Sequence, residues 1–124
     1  LGIEAPIVQT GMGWVAGAGL TAATANAGGL GILASATLDL RELADAIAKL
    51  KSRTARPFGV NMRGDSPDGL ARVDLMIRER VRVASFAAAP KRFARHCKPI
   101  RASSSFRRRS GEPRRSRVCT PLDW

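Results

Sequence analysis

Short apolar runs alternate with amphipathic segments along the first 90 residues of the chain. The apolar runs occupy residues 5–9, 30–33, 57–62 and 82–87. Runs of this length are typical of strands, and the apolar character of the first run predicts a strand that is buried on both faces. The pattern therefore predicts four strands.

Segments with helical spacing separate these strands. Residues 18–26 predict a short Ala-rich helix that ends at Gly28-Gly29, where one glycine can adopt the left-handed conformation of a helix C-terminus. Residues 37–50 carry the clearest helical signal, because Asp39 and Glu42 have the spacing of a capping box. The apolar stripe of this second helix consists of Leu40, Leu43, Ile47 and Leu50.

Strands and helices alternate in a way that is typical of parallel sheets. With a third helix that begins at Leu70, the order is βαβαβαβ, which predicts an α/β fold with right-handed crossovers. Two architectures share this order, an open doubly wound sheet and the first half of an eight-stranded barrel. The dinucleotide motif GxGxxG would separate them, but Gly11, Gly13 and Ala16 match it only weakly. The pattern alone leaves both architectures open.

The first strand ends abruptly at Gly11-Met12-Gly13, where the chain turns toward the first helix. Glycine adopts backbone angles that other residues avoid, and it lets another group come close to the main chain. The turn between a strand and a helix is where α/β proteins hold ligands. The apolar Met12 indicates contact with a flat, apolar ligand rather than with a bare phosphate. A tight turn without a ligand explains the same residues equally well.

Asn61 is a polar residue at the carboxyl end of the third strand. Parallel sheets and barrels present their ligand-binding groups at this end. In the alternative interpretation, the backbone of the following turn satisfies the Asn61 side chain locally. The candidate ligand-binding residues are therefore Gly11, Met12, Gly13 and Asn61.

Composition divides the chain into residues 1–90 and residues 91–124. The net charge of the 124 residues is +11, and residues 91–124 hold 11 of the 21 Lys and Arg residues but only two acidic residues. This segment is rich in Arg and Ser and lacks apolar periodicity, which predicts a disordered basic tail. We expect that residues 92–124 are out-of-frame translation. DNA in which another frame continues the fold after the codon for Lys91 would support this expectation.

An alternative is that the basic tail binds nucleic acid. Arg107-Arg108-Arg109 and Arg114-Arg115 would then contact phosphates, with an affinity that depends on salt. The aromatic residues of the tail are too few and too scattered to form a stacking platform for bases. We therefore predict non-specific attraction to polyanions and no specific nucleic-acid partner.

The tail also holds the one histidine, His96, and both cysteines, Cys97 and Cys119. The two cysteines lack CxxC spacing and have too few partners for a zinc site, so no metal site is predicted. His96 is not taken as catalytic. No run approaches the ~18–20 apolar residues of a membrane span, and no signal peptide is visible, so we expect a cytoplasmic protein without a membrane partner.

Three segments of the sequence resemble a known family. They are PIVQTGMGWVAGAGLTAATANAGGLGILAS, then RPFGVNM, then VASFAAAP. Together they resemble the N-terminal part of the nitronate monooxygenases, also called 2-nitropropane dioxygenases, and their relatives, the flavin-dependent enoyl-carrier-protein reductases. The likeness covers residues 1–90 and includes all four predicted strands in order.

The resemblance implies a (β/α)8 barrel, of which this chain holds the N-terminal half, with FMN at the carboxyl ends of its strands. Gly11, Met12 and Gly13 match the family turn that runs beside the flavin ring, and Asn61 matches the family Asn near the flavin. The implied chemistry is oxidation of an alkyl nitronate to a carbonyl compound and nitrite. Enoyl reduction is the alternative, because the residues that contact the substrate lie beyond residue 90.

The resemblance also implies that parts of the family site are missing. The family His and the phosphate-binding loops belong to later strands, so no catalytic residue is assigned and the chain is expected to be inactive by itself. Four strands would leave an open sheet edge and an exposed apolar inner face. Self-association through this half-barrel is therefore expected.

Overall fold

The computed structural model describes residues 1–87, 97–99 and 116–121. Three helices and four strands alternate up to residue 87, and two further strands follow. In chain order the elements are β1 (Val8–Gln9), α1 (Ala18–Asn26), β2 (Leu30–Ala34), α2 (Leu40–Lys51), β3 (Phe58–Arg63), α3 (Gly69–Arg78), β4 (Val83–Ala87), β5 (Cys97–Pro99) and β6 (Ser116–Pro121). None of the three helices described is long and apolar enough to cross a bilayer.

The first four strands lie side by side and point the same way, as the sequence predicts. Their spatial order, β1-β2-β3-β4, equals their order in the chain, and every neighbouring pair is parallel. Ala34 of β2 pairs with Asn61 of β3, which pairs with Ser85 of β4. A sheet that adds each new parallel strand on the same side is the arrangement of a barrel, whereas a doubly wound sheet reverses direction.

The main core lies between the sheet and its helices. Alternate residues of β3, namely Phe58, Val60 and Met62, pack in one cluster with buried residues of α2 and α3. Because successive side chains of a strand point to opposite faces, Asn61 lies on the other face of the sheet. That face holds a smaller apolar cluster of Leu30, Ile32 and Val83, with Ile3 packed against it.

The burial of these inner residues corrects one expectation. The sequence predicts an exposed apolar inner face, but Leu30, Ile32 and Val83 are each almost fully buried. Ile3 belongs to an N-terminal segment held in place by two hydrogen bonds, in which the Glu4 and Ala5 amides donate to the Gly28 carbonyl. The burial of these three residues gives no support to self-association through the inner face, which stays a prediction.

The first strand differs from its predicted character. Only two residues, Val8 and Gln9, form β1, and the Val8 side chain is 53% exposed while that of Ile7 is 63% exposed. The prediction that this strand is buried on both faces is therefore wrong. Within the described residues β1 pairs only with β2, so it is an edge strand of the sheet.

Nine residues of the segment predicted as a disordered basic tail are described as strands. β5 and β6 fall within residues 91–124, and β6 pairs antiparallel with β4 and with β5. The sequence predicts an open sheet edge after the fourth strand, but in the structure β6 covers the edge of β4. The arginine clusters of the tail and His96 lie outside the described residues, so the nucleic-acid alternative gains nothing from the fold.

Local capping follows the sequence closely. Asp39 and Glu42 form the predicted capping box at the start of α2, with each side chain accepting from the other residue's backbone N–H. Gly28 has a φ of 89° and ends α1 in the left-handed conformation. Its amide donates to Ala25 and the next amide donates to Thr24, which is the Schellman pattern.

The end of α3 has the same geometry with an unusual residue. Arg80 has a φ of 53°, its amide donates to Ile77, and the Val81 amide donates to Met76. This is again a Schellman motif, but a residue with a side chain occupies the left-handed position that favours glycine.

We predict that Arg80→Gly raises the free energy of unfolding by about 0.5–1 kcal/mol, because glycine removes the steric cost of the left-handed conformation. Urea denaturation of the two proteins measures the difference. Arg78→Gly is the matched control, and because Arg78 is helical this change should destabilise the protein by about 1 kcal/mol. An Arg80→Gly protein that is no more stable than the wild type would contradict the prediction.

A candidate cofactor site at the carboxyl ends of the strands

Polar residues mark the carboxyl end of each parallel strand. Gln9 ends β1, Ser35 follows β2, Asn61 lies near the end of β3, and Ser85 lies within β4. The parallel register places Asn61 and Ser85 at the same height. This end of a parallel α/β sheet is where such proteins bind ligands.

Asn61 is held by both neighbouring strands. Its side-chain Nδ2 donates to the Ser85 carbonyl over 3.3 Å and to the Ser85 Oγ over 3.2 Å. Its backbone carbonyl accepts from the Ser35 Oγ over 2.7 Å and from the Ser35 amide over 3.1 Å. The Asn61 side chain thus finds partners on β4 rather than in the following turn, so the local alternative is wrong.

Gly11 lies directly against Asn61. A Cβ added to Gly11 would stand 2.4 Å from the Asn61 Cβ, a separation at which one of the two residues must move. The structure therefore brings together two of the four predicted site residues, which are 50 positions apart in the chain. Glycine is required at position 11 by this close approach and not by its backbone angles, since its φ is not positive.

Gly13 does not show the same requirement. A Cβ at Gly13 would meet its nearest neighbour, the Thr37 Cγ2, at 3.8 Å, an ordinary van der Waals distance. The residue of this turn that adopts the left-handed conformation is instead Trp14, with a φ of 65°. A bulky residue rarely adopts this conformation, and nothing in the sequence signals it.

The turn presents apolar side chains to solvent. Met12 is 40% exposed and Trp14 is 91% exposed. The carbonyl of Met12 accepts from the amides of Val15 and Ala16, over 3.2 Å and 2.8 Å, which fixes the path of the turn. The backbone of the turn is therefore ordered while the Met12 side chain stays accessible, as a contact with an apolar ligand requires.

Gln9 is a site residue that the sequence did not single out. Its Nε2 donates to the Ile32 carbonyl over 3.2 Å and also to the Thr10 carbonyl. Its Oε1 is the one buried side-chain oxygen or nitrogen among the described residues that lacks a hydrogen-bond partner. A buried acceptor without a donor is rare, and a ligand with an N–H or O–H group would satisfy it. The signal in the sequence that could have identified Gln9 is its place as a polar residue at the end of an apolar run.

An ion pair between the buried Arg72 and the partly exposed Asp68 lies behind the candidate site. Arg72 is only 7% exposed, and its Nε donates to the Asp68 Oδ2 over 2.8 Å. The hydrogen bond from Arg72, together with one from Ser66, lowers the pKa of Asp68 to about 2. The two residues stand four apart on or beside α3, a spacing that the sequence shows but that usually marks a surface pair.

The remaining candidates contribute nothing to the described site. His96 lies outside the described residues, and the side chains of Cys97 and Cys119 are likewise not described. Within the described part of the chain, no group of three or more His, Cys, Asp and Glu residues could hold a metal ion.

These observations define a class of protein. Four parallel strands with helices on one face are the arrangement of one half of an α/β barrel. The family model described as nitronate monooxygenase matches residues 1–80. The chain therefore belongs to the nitronate monooxygenase family, as the resemblance in its motifs predicts.

Two curated relatives share most of the matched region. The chain is 71% identical over 91 residues to the (3aS,4S,5R,7aS)-5-hydroxy-7a-methyl-1-oxo-octahydro-1H-indene-4-carboxyl-CoA dehydrogenase of Mycobacterium tuberculosis, and 65% identical to the enzyme of that name from Rhodococcus jostii. Each match covers 73% of this chain and 26% of the relative. The chain thus spans about a quarter of the length of these relatives. A probable nitronate monooxygenase of Staphylococcus haemolyticus is 39% identical over 62 residues, which is 50% of this chain and 17% of that protein.

Solved structures agree with the fold. The M276A mutant of FabK from Thermotoga maritima has a TM-score of 0.69 and 40% identity, with 72% of this chain and 30% of that chain covered. Nitroalkane oxidase from Streptomyces ansochromogenes has a TM-score of 0.64 and 27% identity, with 70% of this chain and 35% of that chain covered. The predicted fold class, four parallel strands of a (β/α)8 barrel, is confirmed. The family, the two dehydrogenases and nitroalkane oxidase carry the names of oxidoreductases.

We predict that Gly11→Ala lowers the free energy of unfolding by about 1–3 kcal/mol, because the new methyl group overlaps Asn61 in a fixed strand. Gly13→Ala is the matched control, since its methyl group has room, and we expect a change within about 0.5 kcal/mol. Urea denaturation measures both. Equal effects of the two substitutions would show that Gly11 does not pack against Asn61.

We predict that Asp68 contributes to stability at neutral pH and loses this contribution in acid. The pKa of Asp68 is lowered in the folded protein, so the contribution is present above about pH 4 and disappears as the pH falls to about 2. Since the Asp68 side chain is 37% exposed, solvent screening limits the cost of Asp68→Asn to about 1 kcal/mol at pH 7. Denaturation of both proteins from pH 2 to pH 7 tests this. A difference that does not shrink with acid would contradict the assignment.

Proposed function

We propose that this chain is part of a flavin-dependent oxidoreductase that acts on an alicyclic carboxyl-CoA thioester. The observation that carries the proposal is the identity of 71% and 65% to two dehydrogenases named for such a substrate. The identity to the probable nitronate monooxygenase is lower and covers fewer residues. Conversion of a CoA thioester therefore replaces nitronate oxidation as the favoured activity.

The residues at the carboxyl ends of the strands fit the ring of FMN, the cofactor that the family motifs imply. Gly11 lets the backbone of the turn lie against Asn61, and Met12 provides an exposed apolar group for one face of a flat ring. The Gln9 Oε1 provides a buried acceptor for a flavin N–H or ribityl hydroxyl. When bound, FMN supplies a two-electron acceptor for oxidation of the substrate.

The protein's own residues have orienting roles in this proposal. Asn61 is fixed by hydrogen bonds to Ser85 and Ser35, so its side chain keeps one position beside the Gly11 backbone. Gln9 joins the end of β1 to the Ile32 carbonyl, which holds the turn against the sheet. A rigid turn and a fixed amide hold a flat ligand in a single orientation at low entropic cost.

Two related activities remain as second candidates. Nitronate oxidation is favoured by the family match over residues 1–80 and by the similarity to nitroalkane oxidase. Enoyl reduction is favoured by the likeness to the enoyl reductase domain of MlnA from Bacillus amyloliquefaciens, with a TM-score of 0.58 and 28% identity. The site residues described here would serve all three, because they lie on the side proposed for the cofactor rather than for the substrate.

The 124-residue polypeptide by itself is proposed to be inactive. It spans about a quarter of the length of the curated dehydrogenases, and a whole barrel needs roughly 250 residues. FMN should bind it weakly. A purified chain that is yellow and holds stoichiometric flavin would contradict this part of the proposal.

A chimera tests whether residues 1–80 can serve the flavin site of a dehydrogenase that acts on a CoA thioester. Residues 1–80 of this chain replace the aligned segment of the Mycobacterium tuberculosis dehydrogenase, and activity is measured with that enzyme's CoA thioester and with propyl nitronate. We expect the chimera to keep most of the CoA-thioester activity and to gain no nitronate oxidation. The same chimera with Gly11→Ala should lose flavin absorbance, whereas the chimera with Gly13→Ala should keep it.

Two results would count against the proposal. A chimera that folds and binds FMN but oxidises propyl nitronate instead of the CoA thioester would favour nitronate oxidation. A folded chimera without flavin would show that residues 1–80 do not form a cofactor site.

A further inference from the structure

Arg72 is a buried cation whose side chain donates hydrogen bonds to three residues in two parts of the chain. Its Nε donates to Asp68, its Nη1 donates to the Ser35 carbonyl over 2.9 Å, and its Nη2 donates to the Leu38 carbonyl over 2.6 Å. Residues 35–38 belong to the loop between β2 and α2. A single side chain of α3 therefore fixes this loop at two carbonyl groups.

Ser35 carries the restraint onward to the candidate site. Ser35 is fully buried, and both its hydroxyl and its amide donate to the Asn61 carbonyl. The Asn61 side chain in turn donates to Ser85 on β4. A continuous path of hydrogen bonds thus runs from Asp68 through Arg72, Ser35 and Asn61 to Ser85.

We propose that Arg72 is a positioning residue for the candidate flavin site, acting on Asn61 through Ser35. The inference rests on the proposed function in so far as Asn61 contacts the cofactor. Arg72 itself touches neither the turn at Gly11 nor the Asn61 side chain in any hydrogen bond of the described structure. Arg72 fixes the direction of the Ser35 carbonyl, which accepts its hydrogen bond. The Ser35 hydroxyl in turn donates to the Asn61 carbonyl.

Docking of α3 against the sheet does not by itself require this arrangement. Of the Arg72–Asp68 pair only Arg72 is buried, and the desolvation of its charge offsets much of what the pair contributes to stability, so an apolar residue of similar volume could take its place in packing. α3 already packs through Val73, Leu75 and Met76, which are buried in the main core. The guanidinium adds directional hydrogen bonds to two named carbonyls, which an apolar residue cannot make.

The test follows the Asn61 side-chain amide by NMR in the flavin-free, isotope-labelled chain. Asn61→Asp identifies the signals by removing them. Arg72→Met and Ser35→Ala each break the path, and we expect both to shift the Asn61 amide signals. Val73→Ala is the matched control, because it removes core packing from the same helix without touching the hydrogen-bond path, and we expect the Asn61 signals to stay in place.

Flavin affinity gives the second measurement. Ser35→Ala removes one hydroxyl and should weaken FMN binding about threefold to tenfold in fluorescence titrations, the effect of one hydrogen bond. Because Ser35→Ala is a small change, its FMN affinity still tests the inference if the Arg72→Met protein does not fold. Val73→Ala should leave the affinity unchanged, although it lowers the unfolding midpoint.

The outcomes separate the inference from the proposed function. Unmoved Asn61 signals in Ser35→Ala, or in a folded Arg72→Met protein that is merely less stable, would overturn the inference and reduce Arg72 to a docking residue. Shifted signals in both variants, together with weaker FMN binding, support it. Shifted signals in a chain that never binds FMN would leave the hydrogen-bond path established and overturn the role in a flavin site.

Discussion

Parallel pairing of β2, β3 and β4 sets the height at which each strand delivers its polar residue. Ala34, Asn61 and Ser85 are direct partners in this register, so the residue after β2 can reach the Asn61 carbonyl while the Asn61 side chain reaches β4. A slip of one residue would turn Asn61 toward the helices and bring Val60 or Met62 to the inner face. The large core between the sheet and the helices prevents such a slip, because it requires Val60 and Met62 to stay buried.

The same constraint explains why the candidate site combines rigid and open parts. The β3 side of the site is enclosed by hydrogen bonds from Ser35 and to Ser85. The β1 side belongs to a two-residue edge strand whose following turn leaves Met12 exposed. The close approach of Gly11 to Asn61 joins the two sides. A flat ligand could therefore lie against the rigid β3 side and contact the exposed Met12 side chain at its edge.

Membership of the family does not by itself select the reaction. Nitroalkane oxidase, FabK and the two CoA-ester dehydrogenases share the fold segment that this chain represents. The residues assigned to the candidate site lie on the side proposed for the cofactor, so they do not separate these activities. Discrimination between a nitronate, an enoyl thioester and an alicyclic CoA thioester depends on groups that contact the substrate. The observation that favours the CoA thioester is the sequence identity to the two dehydrogenases.

Much of the fold could be predicted because its signals are local. Helix α1 has the predicted bounds, α2 has the predicted capping box, and the four strands were placed within a residue or two, apart from the shortened β1. A left-handed glycine at Gly28-Gly29 was predicted because glycine tolerates that conformation at the end of a helix, and Gly28 is the one that adopts it. The same reasoning failed for Trp14 and Arg80, because their left-handed conformations are imposed by the surrounding chain and not by their own preferences.

The sequence by itself determined the order of the elements, the parallel direction of the strands and the family, because hydrophobic period, caps and motifs are written in neighbouring residues. It also indicated Gly11 and Asn61 separately. Only the tertiary structure decided that these two residues touch, that Gln9 keeps a buried acceptor, and that Arg72 reaches Ser35. Each of these depends on contacts between residues at least 23 positions apart, whose geometry is set by strand register and helix packing rather than by any local pattern.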